Sequence, residues 1–127
     1  MAKRPGKLTK QVQRSFESAV ALQQAGKQDQ AIAAYRKVLN LDATHTGALT
    51  NLASLLRHAG DRDGALQVFE RGVAISGVPA PLWYNYGNLL QELNRPADAE
   101  RAFRRALELD PRLYQAATHL ARLLAEL

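Results

Sequence analysis

Small apolar and aromatic residues recur along this chain at one fixed interval. Ala31, Ala65 and Ala99 stand 34 residues apart, and four residues after each comes an aromatic: Tyr35, Phe69 and Phe103. With 34 as the frame, position 1 falls on Val12, Thr46, Ala80 and Tyr114, and the last copy stops at its position 14, Leu127. Position 15 carries Gly26, Gly60 or Asn94, residue types that tolerate the left-handed backbone ending a helix. Pro96 comes two residues after Asn94, in a first helical turn that does not need its missing N–H. Each copy therefore divides into a helix A at positions 1–14 and a helix B at about 15–30. No segment alternates with the period of two that marks a strand.

A helical wheel sorts each helix A into three arcs. Positions 4, 7, 8 and 11 form one: Leu49, Leu52, Ala53 and Leu56 in the second copy, Trp83, Tyr86, Gly87 and Leu90 in the third. A second arc holds positions 3, 10 and 14: Ala48, Leu55 and Ala59, then Leu82, Leu89 and Leu93. The third is polar. It carries Thr50, Asn51, Ser54 and His58, then Tyr84, Asn85, Asn88 and Glu92, and finally Thr118, His119, Arg122 and Glu126.

Within the third copy, Trp83-x-x-Tyr86-Gly87-x-x-Leu90, Ala99-x-x-x-Phe103, Ala106 and Leu109-Asp110-Pro111 together resemble a tetratricopeptide (TPR) repeat. The resemblance covers residues 12–127, with departures at Ala43, Gly72 and Gly77, where the family more often has proline, alanine and proline. It implies an all-α, right-handed α-solenoid without strands, about seven helices long. Its repeats would be 12–45, 46–79 and 80–113, followed by a terminal helix 114–127. The first arc of each helix A is expected to pack on the previous repeat, and the second on the repeat's own helix B. The polar arcs would then line a concave groove that binds a peptide or protein segment.

Asn51 and Asn85 share position 6 of consecutive repeats. Their amides carry both a donor and an acceptor for a peptide group and resemble the asparagine ladder of the O-linked N-acetylglucosamine transferase TPR domain. Chaperone-binding TPR domains instead clamp a C-terminal carboxylate with cations. The corresponding positions here are Phe16, Val20, Asn51, Pro81 and Asn85, of which only Asn51 matches, so that clamp is not expected. The resemblance leaves an alternative: an N-terminal TPR segment presenting substrates to the catalytic domain of a larger glycosyl-, sulfo- or methyltransferase.

Composition narrows the chemistry. Cysteine is absent, which removes disulfides and thiol catalysis and fits a cytoplasmic setting. His45, His58 and His119 form no H-x-x-x-H pair, and no nucleophile elbow or P-loop occurs. No enzyme activity, cofactor or metal is therefore expected. Asp61-Arg62-Asp63-Gly64 lacks the spacing of a calcium loop. The formal charge is +5, but Lys3, Arg4, Lys7 and Lys10 sit among the first ten residues without an acid. Residues 1–10 are read as a disordered basic tail on a nearly neutral body. The basic group Arg101, Arg104 and Arg105 is interleaved with Glu100 and Glu108 at helical spacing and reads as a solvated face. Neither nucleic acid nor membrane is expected as a partner.

The two ends differ. Ser15 and Ser18 stand at positions 4 and 7 of the first helix A, as a cap would. Leu123 and Leu127, at positions 10 and 14 of the last helix, are expected to lie bare for want of a helix B. They are the candidates for self-association, giving a homo-oligomer through the C-terminal helix, unless further chain covers them.

Overall fold

The computed structural model describes residues 6–126, with side chains from residue 8. Seven helices follow in order: α1 (Gly6–Gln24), α2 (Gln28–Leu41), α3 (Thr46–His58), α4 (Arg62–Val73), α5 (Ala80–Glu92), α6 (Pro96–Leu109) and α7 (Tyr114–Glu126). No strand occurs among the described residues. Three helical hairpins and a last helix stack as a right-handed solenoid.

Each A-to-B turn is built in the same way. Gly26, Gly60 and Asn94 have φ of 77°, 89° and 59°, and the following N–H reaches back to Leu22, Leu56 or Leu90 at 2.9–3.0 Å. That six-to-one bond closes the helix on its own carbonyls and reverses the chain. The B-to-A turns are less uniform. Asp42 and Asp110 accept from the N–H groups of Thr44 at 3.2 Å and Arg112 at 3.0 Å. The second repeat has Ser76 at that position and ends α4 early, at Val73, with Gly77 (φ 77°) completing the turn.

Two close contacts show which neighbour each arc of helix A meets. A Cβ on Gly87, position 8, would lie 2.6 Å from the Phe103 ring of the same repeat's α6. A Cβ on Gly72 in α4 would lie 2.7 Å from Leu82, position 3 of the next repeat. Position 8 thus packs on the repeat's own helix B, and position 3 packs back on the previous repeat. The expected directions are interchanged at these two positions, whereas position 7 keeps the expected one, with Tyr86 stacked on Phe69 of the preceding repeat at 5.6 Å.

That interchange corrects both ends of the chain. In α7 Ala116, Leu120 and Leu123 are buried against Ala99, Ala102, Phe103 and Ala106 of α6. Leu123 is only 3% exposed, so it is not a bare edge residue; Leu127 lies outside the described residues. The exposed apolar stripe is instead Ala117, Ala121 and Leu124. At the other end Arg14, Ser18 and Ala21 are exposed, whereas Ser15 is half-buried. The tail expectation also changes: α1 begins at Gly6, so residues 6–10 are helical, and residues 1–5 lie outside the described part.

Curvature follows from which helices touch. α3 packs directly on α5, whereas α4 and α6 make far less contact with each other. At this junction the A helices lie on the inner side and the B helices splay outward. Half-buried Trp83 sits in the outer seam, with clefts of about 330 Å³ and about 260 Å³ on either side.

Candidate functional site

The inner face is lined by α1, α3, α5 and α7, and most of its polar residues are half-exposed for a simple reason. Residues flanking a buried stripe at helical spacing lie at the edge of the packing rather than in it. Thr50, Asn51, Ser54, Tyr84, Asn85, Asn88 and His119 are all half-buried, whereas His58, Glu92 and Arg122 are exposed. Their availability differs more than their burial does.

Asn51 is held. Its Nδ2 donates to the Tyr35 hydroxyl at 3.1 Å, and that hydroxyl donates to Gln23 Oε1 at 2.5 Å. The Tyr35 ring is fully enclosed, and burial pushes its phenol pKa up, while the Asn51 hydrogen bond pulls the other way. Asn85 has no such tether. The residue that corresponds to Tyr35 one repeat on is Phe69, whose ring stacks on Tyr86 at 5.6 Å. Asn85 and Asn88 make no side-chain hydrogen bond among the described residues. The Thr50 hydroxyl is turned inward, donating to the Thr46 carbonyl at 2.8 Å.

Glu92 is an inter-repeat strut. Its carboxylate lies 2.6 Å from Arg57 and 3.8 Å from Arg62, joining the third repeat to the second. Arg57 holds it with a side chain only 20% exposed. At the C-terminal end Tyr84 meets His119 edge-on at 5.4 Å, and both rings lie against Phe103, at 6.0 and 5.7 Å. His119 donates from Nδ1 to the Gln115 carbonyl at 2.7 Å, and His58 does the same to Ser54 at 2.7 Å. Each ring thereby keeps Nε2 without a hydrogen-bond partner among the described residues.

Between the two ends the groove changes character. Phe16 packs on His45 at 4.6 Å and on Tyr35 at 5.9 Å, giving the N-terminal end an apolar floor beside half-buried Val20. The centre is amide and hydroxyl. Arg122 supplies a cation at the far end and makes no ion pair among the described residues. On the outer face Arg95 and Arg101 both pair with Asp98, Arg104 with Glu100 at 2.9 Å, and Arg105 with Glu108 at 3.0 Å. Among the described residues no three His, Cys, Asp or Glu converge on a metal position, and no helix is long and apolar enough to cross a membrane.

Sequence reasoning missed Tyr35, Gln23 and Arg57. One signal was present for Tyr35. A hydroxyl stands where Phe69 and Phe103 carry bare rings, and an enclosed phenol oxygen needs a partner.

Tetratricopeptide-repeat family models match residues 80–113 and 22–85. The chain belongs to the tetratricopeptide repeat family. A search of curated proteins gives no match. Among solved structures, the first TPR domain of Spaghetti (RPAP3) bound to the HSP90 peptide SRMEEVD superposes with a TM-score of 0.84. It is 23% identical, and the match covers 91% of each chain. The Arabidopsis OM64 TPR domain gives 0.85 at 20% identity, covering 94% of this chain and 99% of that one. Yersinia enterocolitica SycD with a peptide of the translocator YopD gives 0.80 at 18%, covering 92% of each. MamA gives 0.80 at 22%, and the match spans 63% of its length. At these identities the likeness is one of fold.

Proposed function

We propose that this TPR protein binds an extended segment of another protein along its inner face. Asn85 and Asn88 would form the central contacts, with Asn51, Ser54, Tyr84 and His119 around them. One observation carries the reading: half-buried, hydrogen-bond-capable amides stand one repeat apart on the inner face, and those of the third repeat are unengaged. TPR neighbours solved with an HSP90 peptide and a YopD peptide support a protein ligand in general. An acidic C-terminal tail is not the expected occupant here, because Phe16, Val20 and Pro81 stand where a carboxylate clamp would need polar or charged groups. The floor favours a segment with an apolar side chain over Phe16 and Val20 and uncharged backbone through the centre. In this reading the module works in the cytoplasm without a cofactor.

The test is Asn51→Ala with Asn85→Ala, assayed against peptides selected on the wild-type protein from a displayed random library. Each lost hydrogen bond should weaken binding by about 0.5–1.5 kcal/mol, with helicity unchanged. Undiminished affinity in the double variant would remove the amides from the site.

The stripe of Ala117, Ala121 and Leu124 on α7 supports a second element, pairing with another copy. Ala121 stands at position 8, which packs on the repeat's own helix B in the third repeat, and Leu124 is 41% exposed. Leu124→Glu should abolish any concentration-dependent association in sedimentation, whereas a wild type that stays monomeric throughout would dispose of the pairing.

A further inference from the structure

We propose that the Tyr35 hydroxyl is a positioning group for the groove: it turns the Asn51 amide so that its carbonyl oxygen faces a bound chain, and the second repeat thereby reads a backbone N–H. The inference deepens the groove reading and rests on it.

Hydrogen-bond direction carries the argument. A phenol has one proton to give, and Tyr35 gives it to Gln23 Oε1. What remains on that oxygen is acceptor capacity, so only the NH2 end of Asn51 can satisfy it, as the 3.1 Å contact from Nδ2 has it. Reversing the Asn51 amide would set two acceptors against each other at a half-buried place, which is costly. Asn51 Oδ1 is thus the end left for a ligand. Tyr35 can do this because its ring is locked, fully enclosed against Phe16 at 5.9 Å and the surrounding core. A fixed ring holds its oxygen at a fixed point, and that oxygen fixes the amide.

The neighbouring repeats lack the device. Phe69 and Phe103 present only carbon at the equivalent place. Asn85 is therefore free to turn either way, and His119 lies tilted against Phe103 at 5.7 Å. The groove then holds one amide of set polarity and one that adapts, one repeat apart. An adaptable pair would accept a chain in either direction. A single fixed acceptor favours the direction and register that put an N–H opposite Asn51.

The experiment uses synthetic peptides first selected on the wild-type protein from a displayed random library, then remade with one backbone N-methyl group at a time. At one position N-methylation should weaken binding to wild type by about two- to twelvefold and should have no effect on binding to Asn51→Ala. Tyr35→Phe should lose several-fold in affinity for the parent peptide and most of that N-methyl discrimination, since its amide is released. Gln23→Ala keeps the Tyr35 ring and frees its proton to point at Asn51. It should erase the same discrimination while melting cooperatively, which covers the case in which Tyr35→Phe fails to fold. Full discrimination retained in either folded variant overturns the positioning role, as does an Asn51-dependent penalty at no position. Peptides indifferent to Tyr84→Ala and Asn85→Ala are not in the groove at all, and they overturn the groove reading together with this one. Peptides sensitive to those changes but blind to Tyr35→Phe overturn the positioning role alone.

Discussion

Gly87→Ala sets two effects of known sign against each other. Glycine inside a helix is about 1 kcal/mol less favourable than alanine, so the change at an ordinary position would stabilise α5. Here the new methyl carbon would stand 2.6, 2.8 and 3.0 Å from three atoms of the Phe103 ring, where carbon atoms prefer about 3.5–4.0 Å. The ring would have to retreat by about 1 Å. It is fully enclosed and flanked by Tyr84 and His119 at 6.0 and 5.7 Å, so it has little room. Overpacking of this kind costs about 1–3 kcal/mol, which outweighs the helix gain. The expected result is a net loss of about 1 kcal/mol, and a fall in Tm of about 4 °C. Because Phe103 supports Tyr84 and His119, the displacement should also reach the inner face and weaken peptide binding. Thermal melts of Gly87→Ala, Phe103→Leu and the double variant form the assay. Phe103→Leu makes room, so Gly87→Ala should become neutral or stabilising in that background. A single Gly87→Ala variant that melts above wild type would refute the packing assigned to position 8.

Breaking the strut should matter more than breaking the outer pairs: Glu92→Gln should destabilise by about 1 kcal/mol, and Glu108→Gln by no more than a few tenths, both read from urea midpoints at low and high salt. Alkali should act through two tyrosines. Burial raises the pKa of Tyr35, and burial followed by Glu70 raises that of Tyr86. Raised folded-state values mean that their contribution is fully present below about pH 10, the unfolded value, and is lost as pH rises through the folded values. Chemical denaturation across that window should show stability falling, with a shallower fall in Tyr35→Phe with Tyr86→Phe; an unchanged slope would count against the burial of both phenols.

The elements of this protein were legible in its sequence because they rest on short-range rules. A repeat of 34 residues, a helical spacing of apolar positions and a left-handed residue at Gly26, Gly60 and Asn94 act within a few residues of themselves, and the helices and turns follow. The start of α1 at Gly6 departs from the frame because helix propagation needs only compatible residues, not a repeat boundary. Which neighbour each arc meets belongs to the tertiary structure. A wheel gives the angle between two faces of one helix, but the crossing of three helices decides which face meets which partner. Leu123 was therefore expected bare and is buried, while Leu124, one residue on, is the exposed one. The two asparagines make the same point at the site. They are identical in type and position, yet Asn51 is tethered and Asn85 is not. The difference lies on the preceding helices: packing brings the Tyr35 hydroxyl to Asn51, whereas Phe69, at the equivalent position one repeat on, has no hydroxyl to offer.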